Sequence, residues 1–250
     1  MSKEKEFKNN IDPKYIDVDP LKDSYRESII EHPDRPVAIK KRNIALLCID
    51  MQYLDAAEGH GVFSDITTSG VPIEAQEYYF KSLQNVVLPN VRKLQDCFRN
   101  QNLEVVHIRI QSLTQDGRDR SNGHKHLNLL APPGSKEAEF LEEVAPVGDE
   151  IVINKTSSGV FVSSNIYYVL KNMNIDSLWV TGVYTEECVS TTVRDASDLG
   201  FLVTLIEDGC TSVTPERHDF TIATLRDRYT RILKTQEAID EIESHLEEYS

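Results

Sequence analysis

Three side chains, far apart in the chain, have the types needed for attack on a carbonyl carbon: Asp50, Lys155 and Cys188. A thiolate is a strong nucleophile, and a nearby carboxylate can take its proton and later return it to a leaving amine. A buried ammonium can hold both in place by charge. Each residue alone has an ordinary explanation: a small core thiol, a turn-forming acid, a surface lysine with its stem on apolar neighbours. Their position sets them apart. Asp50 ends the run NIALLCID, Lys155 ends EIVINK, and Cys188 follows shortly after SLWVTG. The segment TGVYTEECVSTTVRDASDLG sets Cys188 at or near the first turn of a helix, with Thr185 as its expected N-cap and Glu186 and Glu187 favoured by the helix dipole. Such a site shifts a thiol toward thiolate, and its free backbone N–H groups suit an oxyanion. Cys48, Cys97 and Cys210 have no such partners and read as buried thiols.

Five runs position these groups: residues 43–50, 104–110, 150–155, 177–182 and 201–208. Each is nearly continuous in apolar or β-branched residues, as in strands covered on both faces. Apolar positions at helical spacing fill 74–101, 162–173, 187–199 and 216–233 between them. The alternation predicts an α/β fold, three layers with a central, mainly parallel sheet. Ligands of such sheets sit beyond the carboxyl ends of the strands, here Asp50, His107–Arg109, Lys155, the stretch from Gly182 to Cys188, and Asp208. Residues 1–40, charged and with Pro13, Pro20, Pro33 and Pro36, read as an N-terminal arm with one helical turn near 21–31. Residues 41–235 read as the catalytic domain, and 236–250 as an acidic closing helix or tail.

Acidic residues outnumber basic ones by 41 to 27, a formal charge of −14, which disfavours nucleic acid and anionic membrane surfaces. The opening MSKEKEFKNN lacks the apolar core of a secretory signal, and no apolar run approaches the roughly 20 residues of a membrane span. With four dispersed cysteines and no C-x-x-C pair, a cytoplasmic protein without disulfides is expected. No G-x-G-x-x-G follows the first strand, which argues against dinucleotide binding.

The chain resembles the isochorismatase-like cysteine hydrolases over roughly residues 43–235, a family that includes nicotinamidases, N-carbamoylsarcosine amidohydrolase, ureidoacrylate amidohydrolases and biuret hydrolase. Three blocks carry the likeness. Asp50-Met51-Gln52 is similar to a D-x-Q opening. Lys155 is followed by Gly159, Phe161 and Asn165. Gly182, Thr185, Cys188-Val189, Thr192, Arg194, Ala196 and Gly200 match G-x-x-T-x-x-C-V-x-x-T-x-R-x-A-x-x-x-G. The resemblance implies an Asp50–Lys155–Cys188 triad, a cis peptide between Val183 and Tyr184, an oxyanion hole from the Tyr184 and Cys188 amides, and a homo-oligomer, dimer or tetramer. It implies hydrolysis of a C–N bond in a small amide, ureido or carbamoyl compound, with no cofactor. Nicotinamidases carry a metal site, but Tyr53–Ser64 holds no D-x-H set, and His60, His124 and His126 are no ligand pattern, so no metal is expected. Gln52, Phe63, Arg109, Gln111 and Phe161 are the expected substrate contacts, and SLTQDGRDRS is either a mobile lid or an ion-paired surface loop. Two rivals stand beside this reading: vinyl ether hydrolysis with Asp50 as acid, and a non-catalytic binding domain.

Overall fold

The first apolar run alternates between two cores. Ile44, Leu46 and Cys48 face one cluster while Ala45, Leu47 and Ile49 face the other, and all six are fully buried. Period-two alternation with both faces apolar marks a central strand. In the computed structural model, which describes residues 25–65 and 70–247, this strand is the middle of a six-stranded sheet. The strands are β1 (Ile44–Ile49), β2 (Glu104–Ile110), β3 (Ile151–Lys155), β4 (Ser177–Gly182), β5 (Leu202–Cys210) and β6 (Arg231–Leu233). Their order is β3-β2-β1-β4-β5-β6 and every pair is parallel. The longer helices are α1 (Asp34–Lys40), α2 (Ile73–Ser82), α3 (Leu88–Asn100), α4 (Ile166–Asn172), α5 (Ser190–Asp198), α6 (Pro215–Leu225) and α7 (Thr235–Glu247). Val91, Leu94 and Phe98 of α3 and Ile242 of α7 close one face of the sheet; Leu170 of α4 and Val193 and Ala196 of α5 close the other.

The expected three-layer α/β fold is present, with two differences at its end. The stretch 216–233 is not helical throughout. The helix α6 stops at Leu225, Asp227 turns left-handed (φ 62°), and Arg231–Leu233 adds a short half-buried edge strand beside β5. Three residues are too few to show a period. The closing acidic stretch is the helix α7, whose Ala238, Ile242 and Leu246 recur every fourth residue and join the core, leaving its acids outward. Asp208 lies within β5 rather than at its end and accepts from the Thr235 N–H and hydroxyl, both at 2.8 Å, to cap α7. It has no place in the chemistry of the sheet edge.

The expected arm falls in part outside the described residues; Arg26–Ile30 forms a π-turn. From there the chain is tied to the domain. Arg35, only 4% exposed, donates to the Ile29 carbonyl (2.9 Å), the Val203 carbonyl (3.0 Å) and the Thr204 hydroxyl (3.1 Å). Ala38 and Ile39 pack in the core.

Candidate active site

In a doubly wound sheet the crossovers diverge between the two central strands, here β1 and β4, and leave a crevice at their carboxyl ends. Ile49 is in register with Gly182. Glycine is needed there: its φ is +121°, and a Cβ would lie 2.0 Å from the Ile49 carbonyl oxygen. That close approach brings the segment carrying Cys188 against the residue after β1, which is Asp50. Asp50 itself turns left-handed (φ 54°) while its N–H stays bonded to Ile108 O at 2.9 Å.

Lys155 arrives from β3, two strands from β1, a separation of about 10 Å at ordinary strand spacing. Ile110 of β2 is its register partner, so its long side chain crosses β2 to reach the crevice. Its Nζ lies 2.8 Å from Asp50 Oδ2 and 3.3 Å from Cys188 Sγ, and it donates to Ser157 O at 3.1 Å. The ammonium therefore makes one ion pair and two hydrogen bonds. Asp50 and Lys155 side chains are 1% and 0% exposed, and Cys188 4%.

Cys188 lies in a π-turn, Thr185–Val189, ahead of α5. The Thr185 N–H bonds Thr211 O at 3.0 Å, Val189 N–H reaches Tyr184 O at 3.3 Å, and the Thr192 hydroxyl donates to Cys188 O at 2.7 Å. Thr185 is not an N-cap: its hydroxyl is paired with His218 Nδ1 at 2.9 Å. The Val183–Tyr184 peptide is cis. The electrostatics also differ from the simple helix-terminus expectation. Burial pushes the Cys188 thiol well above its ordinary range, with Lys155 pulling it down and Asp50 adding to the rise. Burial likewise raises Asp50 against the pull of Lys155. For Lys155 burial works toward the neutral form, but Asp50 and Cys188 outweigh it and the ammonium is held charged.

A cavity of about 390 Å³ opens on Cys188. Tyr184, Asp55, Ile110, Leu129, His124 and Arg217 are among its walls. The chemistry-bearing trio thus meets at one point with open space beside the sulfur.

The five expected substrate contacts do not line this cavity. Gln52 is fully buried and braces strands: its Nε2 donates to Ile110 O (2.9 Å) and Glu137 O (2.7 Å), and its Oε1 accepts from Ile110 N–H (2.6 Å). Phe63 sits in an aromatic cluster behind Tyr184, stacked on Tyr79. Arg109 spends its donors on Asn154 (2.8 Å), Ala138 O (2.7 Å) and Gln111 Oε1 (3.0 Å), which occupies Gln111 as well. Phe161 packs on Phe201. The loop after Arg109 is closed on itself, with Asp119 accepting from Leu113 N–H (2.7 Å) and the Thr114 hydroxyl (2.8 Å), as an ion-paired surface loop would be. The sequence carries no signal for Asp55 or Arg217 as site residues and reads His124 only as part of a stretch without a ligand pattern, although Asp55 falls within Tyr53–Ser64, after the first block. Among the described residues no group of three or more His, Cys, Asp or Glu is placed to hold a metal, and no helix is long and apolar enough to cross a membrane.

The model of the isochorismatase domain matches residues 44–237, from β1 into α7. The chain belongs to the isochorismatase family. Among relatives of this isochorismatase-family hydrolase, an isochorismatase family protein of Bacillus subtilis, YrdC, is 28% identical over 168 residues, 62% of this chain and 83% of the relative. The N-carbamoylsarcosine amidase of an Arthrobacter species is 29% identical over 123 residues, 46% of each chain, so the likeness spans about half of that relative. Among solved structures, a cysteine hydrolase from Pseudomonas syringae pv. phaseolicola superposes with a TM-score of 0.68 over 82% of this chain and 94% of that one, at 21% identity, a likeness of fold.

Proposed function

We propose that this isochorismatase-family protein is a cysteine hydrolase that cleaves a C–N bond of a small amide, ureido or carbamoyl compound. The observation that carries the reading is a lysine ammonium 2.8 Å from a carboxylate and 3.3 Å from a thiol, all buried, with the sulfur on the wall of one cavity. Asp50 takes the thiol proton as the Cys188 sulfur bonds to the carbonyl carbon, and the oxyanion forms beside the Tyr184 and Cys188 amides. The same proton passes from Asp50 to the leaving nitrogen as the C–N bond breaks, leaving an acyl group on sulfur. Water then attacks with Asp50 as base, the C–S bond breaks, and the proton returns to the thiol. Lys155 stays charged throughout and holds the two anionic partners in register. The name of the amidase relative supports the choice of bond.

The test is ammonia release from a panel of simple amides and ureas, with mass spectrometry of the quenched protein. An adduct on Cys188 and loss of turnover in Cys188→Ala are expected. Ammonia release that survives the substitution would refute the nucleophilic role of Cys188, whereas cleavage of a vinyl ether by Cys188→Ala would point instead to ether hydrolysis driven by Asp50. We further propose a cytoplasmic location, which four free, buried thiols support, and a homo-oligomer, supported by the exposed Val162, Tyr168 and Phe220. Light scattering on the purified chain checks the latter.

A further inference from the structure

Asp55 stands at the cavity beside the trio without a role in it. It follows the D-x-Q block in a short helical turn, Tyr53–Ala56, and is 4% exposed. Its main chain is fixed: the Asp55 carbonyl accepts from the Tyr79 hydroxyl at 2.7 Å and the Tyr184 hydroxyl at 3.0 Å. Its Oδ2 is wholly buried and has no hydrogen-bond partner among the described residues. A buried carboxyl oxygen without a hydrogen-bond partner is unfavourable and rare in folded proteins. A group left so, on the wall of a cavity that opens on a nucleophile, is accounted for by a ligand that supplies the missing partner.

The rest of the wall limits that ligand. Most of it is apolar, with Val62, Val71, Ile110, Leu129 and Val213 contributing. Arg217 is the one permanent cation among the described lining residues, and its Nη1 is 3.3 Å from Glu186 Oε1. Lys155 beneath the sulfur is already paired with Asp50 and bonded to Cys188 and Ser157. His124 on the wall is held neutral by burial, down to about 4. Burial also pushes the Asp55 carboxyl well above the usual carboxylate range, with the charge of Asp50 adding to it. Each permanent cation near the sulfur is thus already paired with a carboxylate, Lys155 with Asp50 and Arg217 with Glu186, and the surroundings of Asp55 favour neutral partners.

We infer that the substrate is an uncharged amide- or urea-type compound with an apolar substituent, and that Asp55 is a positioning residue that accepts a hydrogen bond from the N–H on the nitrogen that carries that substituent. This rests on the hydrolase reading above, and the experiment separates the two. Three ureas of equal length serve as probes: N-butylurea, N-butyl-N-methylurea, which lacks the N–H on the substituted nitrogen, and 4-ureidobutyrate, which ends in a carboxylate. Binding is measured by calorimetry on full-length Cys188→Ala, so that it does not depend on turnover. N-butylurea is expected to bind at least about tenfold more tightly than its N-methyl analogue, the worth of one buried hydrogen bond. It should exceed 4-ureidobutyrate by about a hundredfold or more, since the anion would be buried unpaired. In the Asp55→Leu background the preference over the N-methyl analogue should vanish. Asp55→Asn, which keeps a carbonyl acceptor, should retain it within about threefold, a rescue that a merely structural role would not produce. Equal binding of the two neutral ureas, a preference that survives Asp55→Leu, tighter binding of the anion, or no binding of any probe would overturn the inference. Ammonia release by the unmodified protein is scored separately: discrimination without ammonia would sink the hydrolase reading alone, and ammonia without discrimination would sink the Asp55 assignment alone.

Discussion

Replacing Lys155 by Met keeps the length of the side chain and removes its charge. The ammonium it deletes is wholly buried, 2.8 Å from Asp50 Oδ2, where the Coulomb attraction at an effective dielectric constant of about 20 is roughly 6 kcal/mol. Desolvation consumes part of that, and removing one partner of a buried pair typically costs about 3–5 kcal/mol. The carboxylate left behind is already pushed up by burial and held back by Lys155, so without the lysine it rises further. Its folded pKa then exceeds the unfolded value of about 4. The folded state binds the extra proton, so stability falls as pH rises from the unfolded pKa toward the folded one. Urea unfolding of Lys155→Met should therefore show a small penalty near pH 4 that grows to about 3–5 kcal/mol by pH 7.5. Adding Asp50→Asn should recover much of it, because the double variant buries no charge. A penalty independent of pH, or a double variant less stable than Lys155→Met by the full cost of Asp50→Asn, would refute the description of this pair as a mutually dependent buried charge couple.

Two further outcomes follow from the same geometry. Asp50→Asn removes the group that raises the Cys188 thiol by charge and hydrogen bonding while Lys155 remains beside the sulfur, so iodoacetamide should alkylate Cys188 about tenfold faster at pH 7. Amide hydrolysis should fall by about 10²–10⁴, for want of a proton donor to the leaving nitrogen; slower alkylation would contradict the charge assignment. Gly182→Ala sets a Cβ against the Ile49 carbonyl at 2.0 Å in a backbone conformation that alanine resists, and a loss of about 3 kcal/mol or more is expected from thermal or urea unfolding. A variant of native stability would show that β1 and β4 can part without consequence.

The meeting of Asp50, Lys155 and Cys188 was legible because parallel strands must deliver their carboxyl ends to one edge, and three runs end in or near those residues. Strand boundaries were legible to within about two residues for the same reason: runs such as IALLCI and SLWVTG are buried on both faces. Side-chain direction was not. Gln52 and Arg109 sit at the correct edge, yet neighbouring carbonyls capture them, Ile110 and Glu137 for one and Ala138 for the other. Such capture depends on tertiary contacts that no local pattern encodes. The walls supplied by Asp55, His124 and Arg217 come from three loops or helices whose only common property is where they meet. The stretch 231–233 escaped because it is too short for a period, and Thr185 was misassigned because a histidine on α6 takes its hydroxyl.

The raised Cys188 thiol needs reconciling with a nucleophilic role. Burial acts on any net charge within the trio, and it lifts both Cys188 and Asp50 because each is considered as it becomes an anion. In the proposed step neither gains an anion without the other losing one. A thiol, a carboxylate and an ammonium become a thiolate, a carboxylic acid and an ammonium, with the net charge zero before and after. The desolvation that dominates each separate ionisation therefore largely cancels, and the balance depends on how well Lys155 solvates each anion, at 2.8 Å for oxygen and 3.3 Å for sulfur. The shorter contact favours the resting carboxylate, so the thiol stays protonated until a carbonyl is at hand to take the sulfur's electrons. The burial of Asp50 and Lys155 is in this sense a condition for the chemistry: were the pair hydrated, solvent rather than the ammonium would set the balance between carboxylate and thiolate.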